Sequence, residues 1–415
     1  MLLIYRFTVI IFLYNRRKNF MISQKMQQFV QNSSVIRAMF EEGKKLSAQY
    51  GAENVFDFSI GNPSIEPPAA VSRAVVEILM QEQPLAVHGY MNNSGYEEVR
   101  AAIAEHLNCL HRASLTAEQI VMTCGAAGGL NIVLKALLNP GDEVIVFAPF
   151  FGEYANYVDN FDGKLVVVPT IPDTFLPNLS ALESAVSEKT KAVIINTPNN
   201  PTGVIYSDIL LKDLCAVLEK KQREYHTDIY LISDEPYREL VYDGAAVPFL
   251  FDFFQNAVIV YSYSKTLSLP GERIGYLAVH PDSADGETLL SALNVANRIL
   301  GFVNAPSLFQ KTVAKILDSS VDVSAYRENR DLLYAHLTSL GFECIKPQGA
   351  FYLFPKSPIA DDRAFCEIAK KYRILLVPGS SFGCPGYFRL SYCVGKEQIL
   401  RSFPAFEQLA KEAIQ

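Results

Sequence analysis

Between about residues 70 and 300, short apolar runs alternate with stretches whose apolar positions repeat at helical spacing. Seven of the runs are rich in β-branched residues: QIVMTCG, EVIVFAP, KLVVVP, KAVIINTP, IYLISDEP, AVIVYSYS and GYLAVHP. Several are apolar on both faces, which is typical of strands buried within a mostly parallel sheet. Helical stretches such as AAGGLNIVLKALL and SDILLKDLCAVLEKKQ separate them. The pattern predicts an α/β fold with a mostly parallel seven-stranded sheet between helices.

The pattern changes after about residue 300. Two long helices are expected in FQKTVAKILDSS and SAYRENRDLLYAHLTSLG, followed by short strands in GAFYLFP, ILLVPGSSFG and YFRLSY. We interpret this part as a small α+β domain, onto which the helix in NSSVIRAMFEEGKKLSAQYG packs. The predicted division is a large domain over residues 70–300 and a small domain over residues 26–69 and 301–415.

The first 25 residues are expected to form an extension that is non-native or disordered. Residues 2–14, LLIYRFTVIIFLY, are apolar but are interrupted by Arg6. They fall short of the roughly 20 residues that a membrane-spanning helix needs. The cations follow this run, whereas a signal peptide carries them first. An interfacial membrane anchor is the alternative interpretation.

Composition narrows the class of function. The net charge of −7 argues against nucleic acid or an anionic membrane as the main partner. The seven cysteines form no CxxC pair, and the histidines do not cluster near them. This usage predicts reduced thiols in a cytoplasmic protein without a metal site.

A possible phosphate site comes from residues at the ends of two predicted strands. Ligands of open α/β sheets bind beyond the carboxyl ends of the strands. The GAAGG turn at residues 125–129 ends one strand and opens a helix, whose free N–H groups favour an anion. Ser262 and Ser264 follow another strand, and Arg273 comes soon after them. Hydroxyl groups and a guanidinium are suited to the same phosphate.

Other strand ends supply groups for an aromatic aldehyde. Lys265, beside a cation and partly desolvated, would have a lowered pKa and act as an amine nucleophile. Asp234 can pair with a protonated ring nitrogen, Tyr237 with a phenolic oxygen, and Phe151 can stack on a flat ring. A phosphate, an aldehyde and a nitrogen-containing ring together describe pyridoxal phosphate.

The motifs NNPTG, SDEPY and SYSKTLSLPGERIGY, in this order and spacing, resemble those of the class I/II aminotransferases, which are fold-type I pyridoxal-phosphate enzymes. The resemblance extends from about residue 34 to the C-terminus and includes FSIGNPS, YMNNSG and FRLSY. It implies transamination between an L-amino acid and a 2-oxo acid through a Lys265 internal aldimine. It also implies a homodimer with shared active sites.

The resemblance assigns a role to each matching residue. Lys265 resembles the Schiff-base lysine that also moves the substrate proton, and Asp234 resembles the partner of the pyridine nitrogen. Asn200 and Tyr237 match residues that bind the ring 3′-oxygen, and Phe151 occupies the stacking position. The residues matching the phosphate site are Gly125, Ala126, Ala127, Ser262, Ser264 and Arg273, with Tyr90 reaching the phosphate from the neighbouring subunit.

The substrate is less defined than the cofactor. Arg389 resembles the arginine that binds the substrate α-carboxylate, helped by the Gly61 backbone and by Asn200. In one aspartate-specific branch of the family a lysine reads the side-chain carboxylate, and this chain has Ala127 at that position. Our hypothesis is a neutral-to-aromatic amino donor with 2-oxoglutarate as the acceptor.

Alternatives remain open at this stage. The same residues would serve a pyridoxal-phosphate-dependent carbon–sulfur β-lyase. A dinucleotide-binding oxidoreductase built on CGAAGG and a non-catalytic cofactor-binding regulator are alternatives of other classes. Single residues also have structural explanations: Asp234 could cap a turn, Ser264 and Phe151 could be core, and Arg389 could belong to an ion pair.

Overall fold

The structure is a computed structural model that describes residues 22–31 and 35–414. The predicted extension at residues 1–25 lies almost wholly outside the described residues, and so does the possible anchor at residues 2–14. In the described part of the chain, no helix is both long and apolar enough to cross a bilayer.

Seven strands form one sheet, as the apolar runs predict. In chain order its strands are β2 (Ile120–Thr123), β3 (Glu143–Ala148), β4 (Lys164–Pro169), β5 (Thr190–Asn196), β6 (Tyr230–Asp234), β7 (Ala257–Ser262) and β8 (Gly275–Val279). Their order across the sheet is β2-β8-β7-β6-β5-β3-β4. The strand β8 runs antiparallel to both of its neighbours, and the other pairs are parallel. The mostly parallel seven-stranded sheet is therefore confirmed.

Helices pack against both faces of this sheet and around the smaller sheets. In chain order they are α1 (Gln24–Gln31), α2 (Val35–Tyr50), α3 (Ala69–Gln81), α4 (Pro84–His88), α5 (Glu97–His111), α6 (Gly125–Leu137), α7 (Glu153–Asn160), α8 (Leu179–Ala185), α9 (Asp208–Tyr225), α10 (Tyr263–Thr266), α11 (Gly286–Ile299), α12 (Ser307–Ala314), α13 (Ser324–Ser339), α14 (Asp362–Lys371) and α15 (Lys396–Ala413). The helix expected over residues 309–320 is shorter than predicted, because α12 ends at Ala314 and the DSS run that follows favours turns.

Five short strands build two further sheets. They are β1 (Phe56–Asp57), β9 (Tyr352–Leu353), β10 (Ile374–Leu375), β11 (Val377–Pro378) and β12 (Phe388–Ser391). The strand β1 pairs in parallel with β10, and β12 pairs antiparallel with both β9 and β11. Four of these strands, β1, β9, β10 and β12, contribute residues to one apolar cluster, which also includes Phe58, Tyr326, Phe351 and Phe406. We propose that residues 26–69 and 301–415 form a small domain around this cluster, beside a large domain over residues 70–300.

A close backbone approach sets the position of α6 against the sheet. A Cβ atom built on Gly275 would lie 2.3 Å from the carbonyl oxygen of Tyr261 and 3.1 Å from the Cα of Gly125. Gly275 opens β8 beside the end of β7, and Gly125 opens α6 with φ of 71°. Glycine at both positions therefore lets the first turn of α6 lie against the carboxyl end of β7.

We expect Gly275→Ala to lower the free energy of unfolding by about 1–3 kcal/mol, because the added methyl group meets main-chain atoms that cannot move aside. Gly271→Ala is the matched control, since a Cβ atom there meets nothing within 4 Å. Its effect should stay within about 0.5 kcal/mol. Urea denaturation of both variants tests this, and equal midpoints would contradict it.

Candidate active site

A cleft of about 260 Å³ lies where the strands of the large sheet end. Every residue predicted for the site lines this cleft except Gly125 and Tyr90. The predicted residues that line it are Gly61, Ala126, Ala127, Phe151, Asn200, Asp234, Tyr237, Ser262, Ser264, Lys265, Arg273 and Arg389. Residues from both ends of the chain and from the middle are thus brought together in one space.

Lys265 projects into the cleft from α10, the single turn that follows β7. Its Nζ donates a 2.7 Å hydrogen bond to the carbonyl oxygen of Gly61 and lies 5.3 Å from the ring centroid of Phe351. Burial lowers the pKa of this amine to about 8; the nearby thiol of Cys393 opposes the shift, and the guanidinium of Arg389 adds to it. A sizeable fraction of the amine is therefore uncharged and nucleophilic near neutral pH.

Asp234 is the last residue of β6, and its carboxyl group is buried. The hydroxyl of Tyr154 donates a 2.6 Å hydrogen bond to Oδ2, while Oδ1 has no hydrogen-bond partner among the described residues. Burial raises the pKa of Asp234 to about 7, although the hydrogen bond from Tyr154 lowers it. A buried carboxyl oxygen that is left free in this way fits a ligand group carrying N–H, such as a protonated ring nitrogen.

Donors for a phosphate converge at the start of α6. The side chain of Cys124 at the N-cap accepts no capping hydrogen bond from the helix backbone, so the first N–H groups of the helix remain available. The guanidinium of Arg273 lies above this turn, with Nη2 donating to the carbonyl oxygen of Cys124 at 3.3 Å. The hydroxyls of Ser262 and Ser264 are 3.0 Å apart and line the same cleft. This set of N–H, hydroxyl and guanidinium donors fits a phosphate group.

Gly125 contributes space rather than a lining surface. A Cβ atom at this position would lie 3.0 Å from Nη2 of Arg273. Glycine therefore allows the guanidinium to close over the helix start. Tyr90 is 96% exposed and does not line the cleft of its own chain. Its predicted contact with the phosphate of a neighbouring subunit stays a prediction.

A buried guanidinium occupies the other end of the cleft. Arg389 donates from Nη1 to Oδ1 of Asn200 at 3.1 Å and from Nη2 to the carbonyl oxygen of Ser59 at 2.6 Å. Its Nε has no partner, and no carboxylate of the described chain forms an ion pair with it. The guanidinium lies 4.6 Å from the ring centroid of Tyr352. A buried, unpaired guanidinium of this kind fits the carboxylate of a ligand.

Tyr237 and Phe151 complete the walls of the cleft. The hydroxyl of Tyr237 lies 2.9 Å from that of Tyr352. Phe151 is half-buried, and its ring meets that of Tyr154 edge to face with centroids 5.6 Å apart. Tyr237 can therefore offer a hydrogen bond to a ligand oxygen, while Phe151 offers an aromatic surface.

Sequence reasoning did not assign three residues that shape the cleft. Tyr154, on α7, donates the hydrogen bond to Asp234, and Tyr352 reaches the cleft from β9 of the three-stranded sheet. Asn196 ends β5 and forms two bonds: its Nδ2 donates to the carbonyl oxygen of Asp234, and its Oδ1 accepts from the backbone N–H of Asn200, both at 2.7 Å. Its position at a strand end was a usable signal, because the other site residues share it.

Comparison with known proteins decides the family. The model of aminotransferase class I and II matches residues 53–403. The chain belongs to this family. It is accordingly a pyridoxal-phosphate-dependent aminotransferase, since enzymes of the family use this cofactor, and the residues described above fit its phosphate, its ring nitrogen and its ring face. We therefore set aside the dinucleotide-binding and non-catalytic alternatives.

Relatives resemble the aminotransferase over almost its whole length. A crystal structure of an aminotransferase from Eubacterium rectale shares 46% identity and has a TM-score of 0.93, covering 96% of this chain and 100% of that chain. An aspartate aminotransferase from Thermotoga maritima is 32% identical over 86% of this chain and 91% of its own length. Aromatic-amino-acid aminotransferase 2 from Thermococcus litoralis is 29% identical over 92% and 96%, respectively.

The raised pKa of Asp234 generates a prediction for the protein without its cofactor. The folded state holds this proton up to about pH 7, whereas the unfolded chain releases it near about pH 4. Stability therefore falls as the pH rises through this interval. Asp234→Asn removes that loss and keeps an acceptor for Tyr154, so the variant should be more stable than the wild type at pH 8.

The expected gain is on the order of 1 kcal/mol or more at pH 8, and it should shrink as the pH falls toward about 4. Urea denaturation of the two apoproteins at pH 5 and pH 8 measures it. A gain that does not change with pH would show that Asp234 is not the group responsible.

Proposed function

We propose that the aminotransferase moves the amino group of a neutral or aromatic L-amino acid to 2-oxoglutarate, with pyridoxal phosphate held covalently by Lys265. The observation that carries the proposal is the meeting of three incompletely paired groups in one cleft. These are the partly buried amine of Lys265, the free Oδ1 of Asp234 and the guanidinium of Arg389, which has no ion-pair partner among the described residues.

When bound, pyridoxal phosphate supplies an aldehyde for the amine and a ring that accepts electrons from the substrate Cα. In the proposal, Asp234 Oδ1 accepts the N–H of the ring nitrogen and keeps that nitrogen protonated. Asn200 and Tyr237 donate to the ring 3′-oxygen, and Phe151 covers one ring face. Ala126, Ala127, Ser262, Ser264 and Arg273 bind the phosphate.

The substrate is held and deprotonated by groups of the same cleft. Arg389 binds the α-carboxylate, and its unpartnered Nε gives it a donor that no described residue uses. The amine of Lys265, once free of the cofactor, takes the proton from the substrate Cα. A pKa of about 8 suits that task, because general bases work best when their pKa lies near the working pH.

The lining of the cleft supports a neutral or aromatic donor. The cations of the described chain that line it are Lys265, Arg273 and Arg389, and each has a role in the proposal. Ala127 offers no charge, and aromatic rings such as Tyr157 and Tyr352 contribute much of the remaining wall. A distal carboxylate would therefore lack a partner within this chain, whereas an apolar side chain would find contacts.

We also propose a homodimer that works in the cytoplasm. Large apolar side chains are exposed close together in the chain: Met80 at 80%, Leu85 at 86% and Tyr90 at 96%. Exposure on this scale is typical of a surface that a partner covers. Coverage by a second copy would let its Tyr90 approach the phosphate. The cysteines are unpaired, in keeping with a reducing compartment.

The division of labour between two cations is testable. Lys265→Ala should abolish turnover and still retain the cofactor non-covalently, because the phosphate site is intact. Arg273→Ala should instead weaken cofactor retention by about 10- to 100-fold, since a charge-assisted contact is lost. Borohydride reduction with peptide mapping should find the pyridoxyl group on Lys265. A label on another lysine, or equal cofactor loss in both variants, would contradict these roles.

A panel of amino donors and 2-oxo acid acceptors tests the substrate proposal. We expect kcat/KM to be highest for neutral or aromatic donors, and Arg389→Lys to lower it for all of them by about tenfold or more, because the planar fork is lost. Activity with aspartate alone would refute the donor class. Pyruvate and a thiol released from cystathionine without any acceptor would instead identify a β-lyase.

A further inference from the structure

The turn that carries Lys265 is held on its far side by the next residue, Thr266. This side chain is buried, and its Oγ1 donates a 2.6 Å hydrogen bond to Oε2 of Glu239. The hydroxyl of Tyr261 lies 2.9 Å from the same Oγ1. The backbone N–H of Val321 donates to the Thr266 carbonyl oxygen at 2.8 Å. Thr266 is therefore held by bonds from both its side chain and its backbone, and it anchors the turn from which Lys265 projects.

Glu239 belongs to the segment that continues β6 beyond Asp234. The ladder between β6 and β7 extends to the pair of Asp234 and Val260. One further backbone bond, from Glu235 N–H to the carbonyl oxygen of Val260, follows at 2.8 Å. Past this point both segments have left the ladder, so sheet pairing no longer sets the distance between them.

The bond from Thr266 to Glu239 joins the two segments beyond the ladder. Asp234 and Tyr237, proposed to bind the cofactor ring, lie on the segment of Glu239. Lys265 and Thr266 are adjacent in the segment that follows β7. The side-chain bond therefore connects the groups that hold the ring to the group that reacts beside it.

We propose that Glu239 is a positioning residue for Lys265. By accepting the hydrogen bond from the hydroxyl of Thr266, Glu239 fixes the turn that carries Lys265 relative to Asp234 and Tyr237. The inference rests on the proposed role of Lys265. A hydrogen bond between a carboxyl group and a hydroxyl is short and directional, so it restrains the orientation of the turn. Orientation matters here because a displacement of about 1 Å at a reacting atom can cost up to about 100-fold in rate.

The loss of this bond should affect the turn more than the fold. Without the Glu239 carboxyl group, Thr266 Oγ1 still has the hydroxyl of Tyr261 as a partner. Each of the two hydroxyls therefore keeps one hydrogen-bond partner, which limits the loss of stability. Glu239→Gln keeps an oxygen that can accept from Thr266, so it is the conservative variant. Thr266→Val removes the donor from the other side.

The first measurement uses the apoprotein. The reactivity of Lys265 toward acetic anhydride is followed against pH by peptide mass spectrometry. The wild-type midpoint is expected near the amine pKa of about 8. Glu239→Ala should raise it by about one unit, because the released turn exposes the amine to water. Glu239→Gln should restore it. Arg273, Arg389 and Cys393, which face the amine, are unchanged in these variants.

The second measurement is the kinetics of the holoenzyme. Glu239→Ala and Thr266→Val should each lower kcat by about 10- to 100-fold while KM for the donor stays within about twofold. The double variant should have a kcat no lower than that of either single variant, because both substitutions remove the same hydrogen bond, the one between Thr266 and Glu239.

Glu143→Ala is the matched control. It removes an acceptor from a hydroxyl–carboxyl bond of the same length, 2.6 Å to Ser187, at the opposite end of the sheet. This variant should leave the labelling midpoint and kcat unchanged.

Two outcomes would overturn the inference: a wild-type midpoint and kcat in Glu239→Ala, or losses that add in the double variant. Failure of the proposed function is distinct, because the wild-type enzyme would then carry its borohydride label on another lysine.

Discussion

The structure depends on the burial of ionisable groups at one end of a parallel sheet. Burial lowers the pKa of Lys265 and of Arg389 and raises the pKa of Asp234, so it favours the neutral form of each group. A charge removed from water is tolerated only when it has partners or a function. The partners here are incomplete: Gly61 accepts one bond from Lys265, and Tyr154 donates one to Asp234. The hydrogen-bonding positions that these groups leave unused are available to a ligand in the cleft.

The parallel arrangement makes this convergence possible. Asn196 pairs with Asp234 across β5 and β6, and Asp234 pairs with Val260 across β6 and β7. Parallel strands end at the same edge, so the residues that follow them become neighbours although they are far apart in sequence. The helix α6 starts at this edge as well, since Gly125 and Gly275 allow its first turn to approach the backbone. The amine, the carboxyl group and the anion site are thus placed by one topology.

Much of this was predictable from sequence, for identifiable reasons. Strands buried on both faces leave continuous apolar runs, and the polar residues directly after them are those that face a ligand. Tyr352 was missed because it reaches the cleft from β9 of the three-stranded sheet, and no local sequence pattern encodes the packing of that sheet against the cleft. Tyr154 was missed because a tyrosine among apolar residues is usually core, and only its distance to Asp234 separates the two roles. The helix α10 has four residues, too few to show a period.

The unfinished pairing of the cleft has an energetic consequence. Asp234 Oδ1 and Arg389 Nε are buried without partners, so the protein alone carries a desolvation cost that hydrogen bonds do not offset. A ligand with an N–H group for the first and a carboxylate for the second removes that cost only in the folded state. Its binding must therefore stabilise the fold through mass action. The buried groups that lack partners within the protein are the same groups that make the site competent, so any substitution that satisfies them internally should exchange activity for stability.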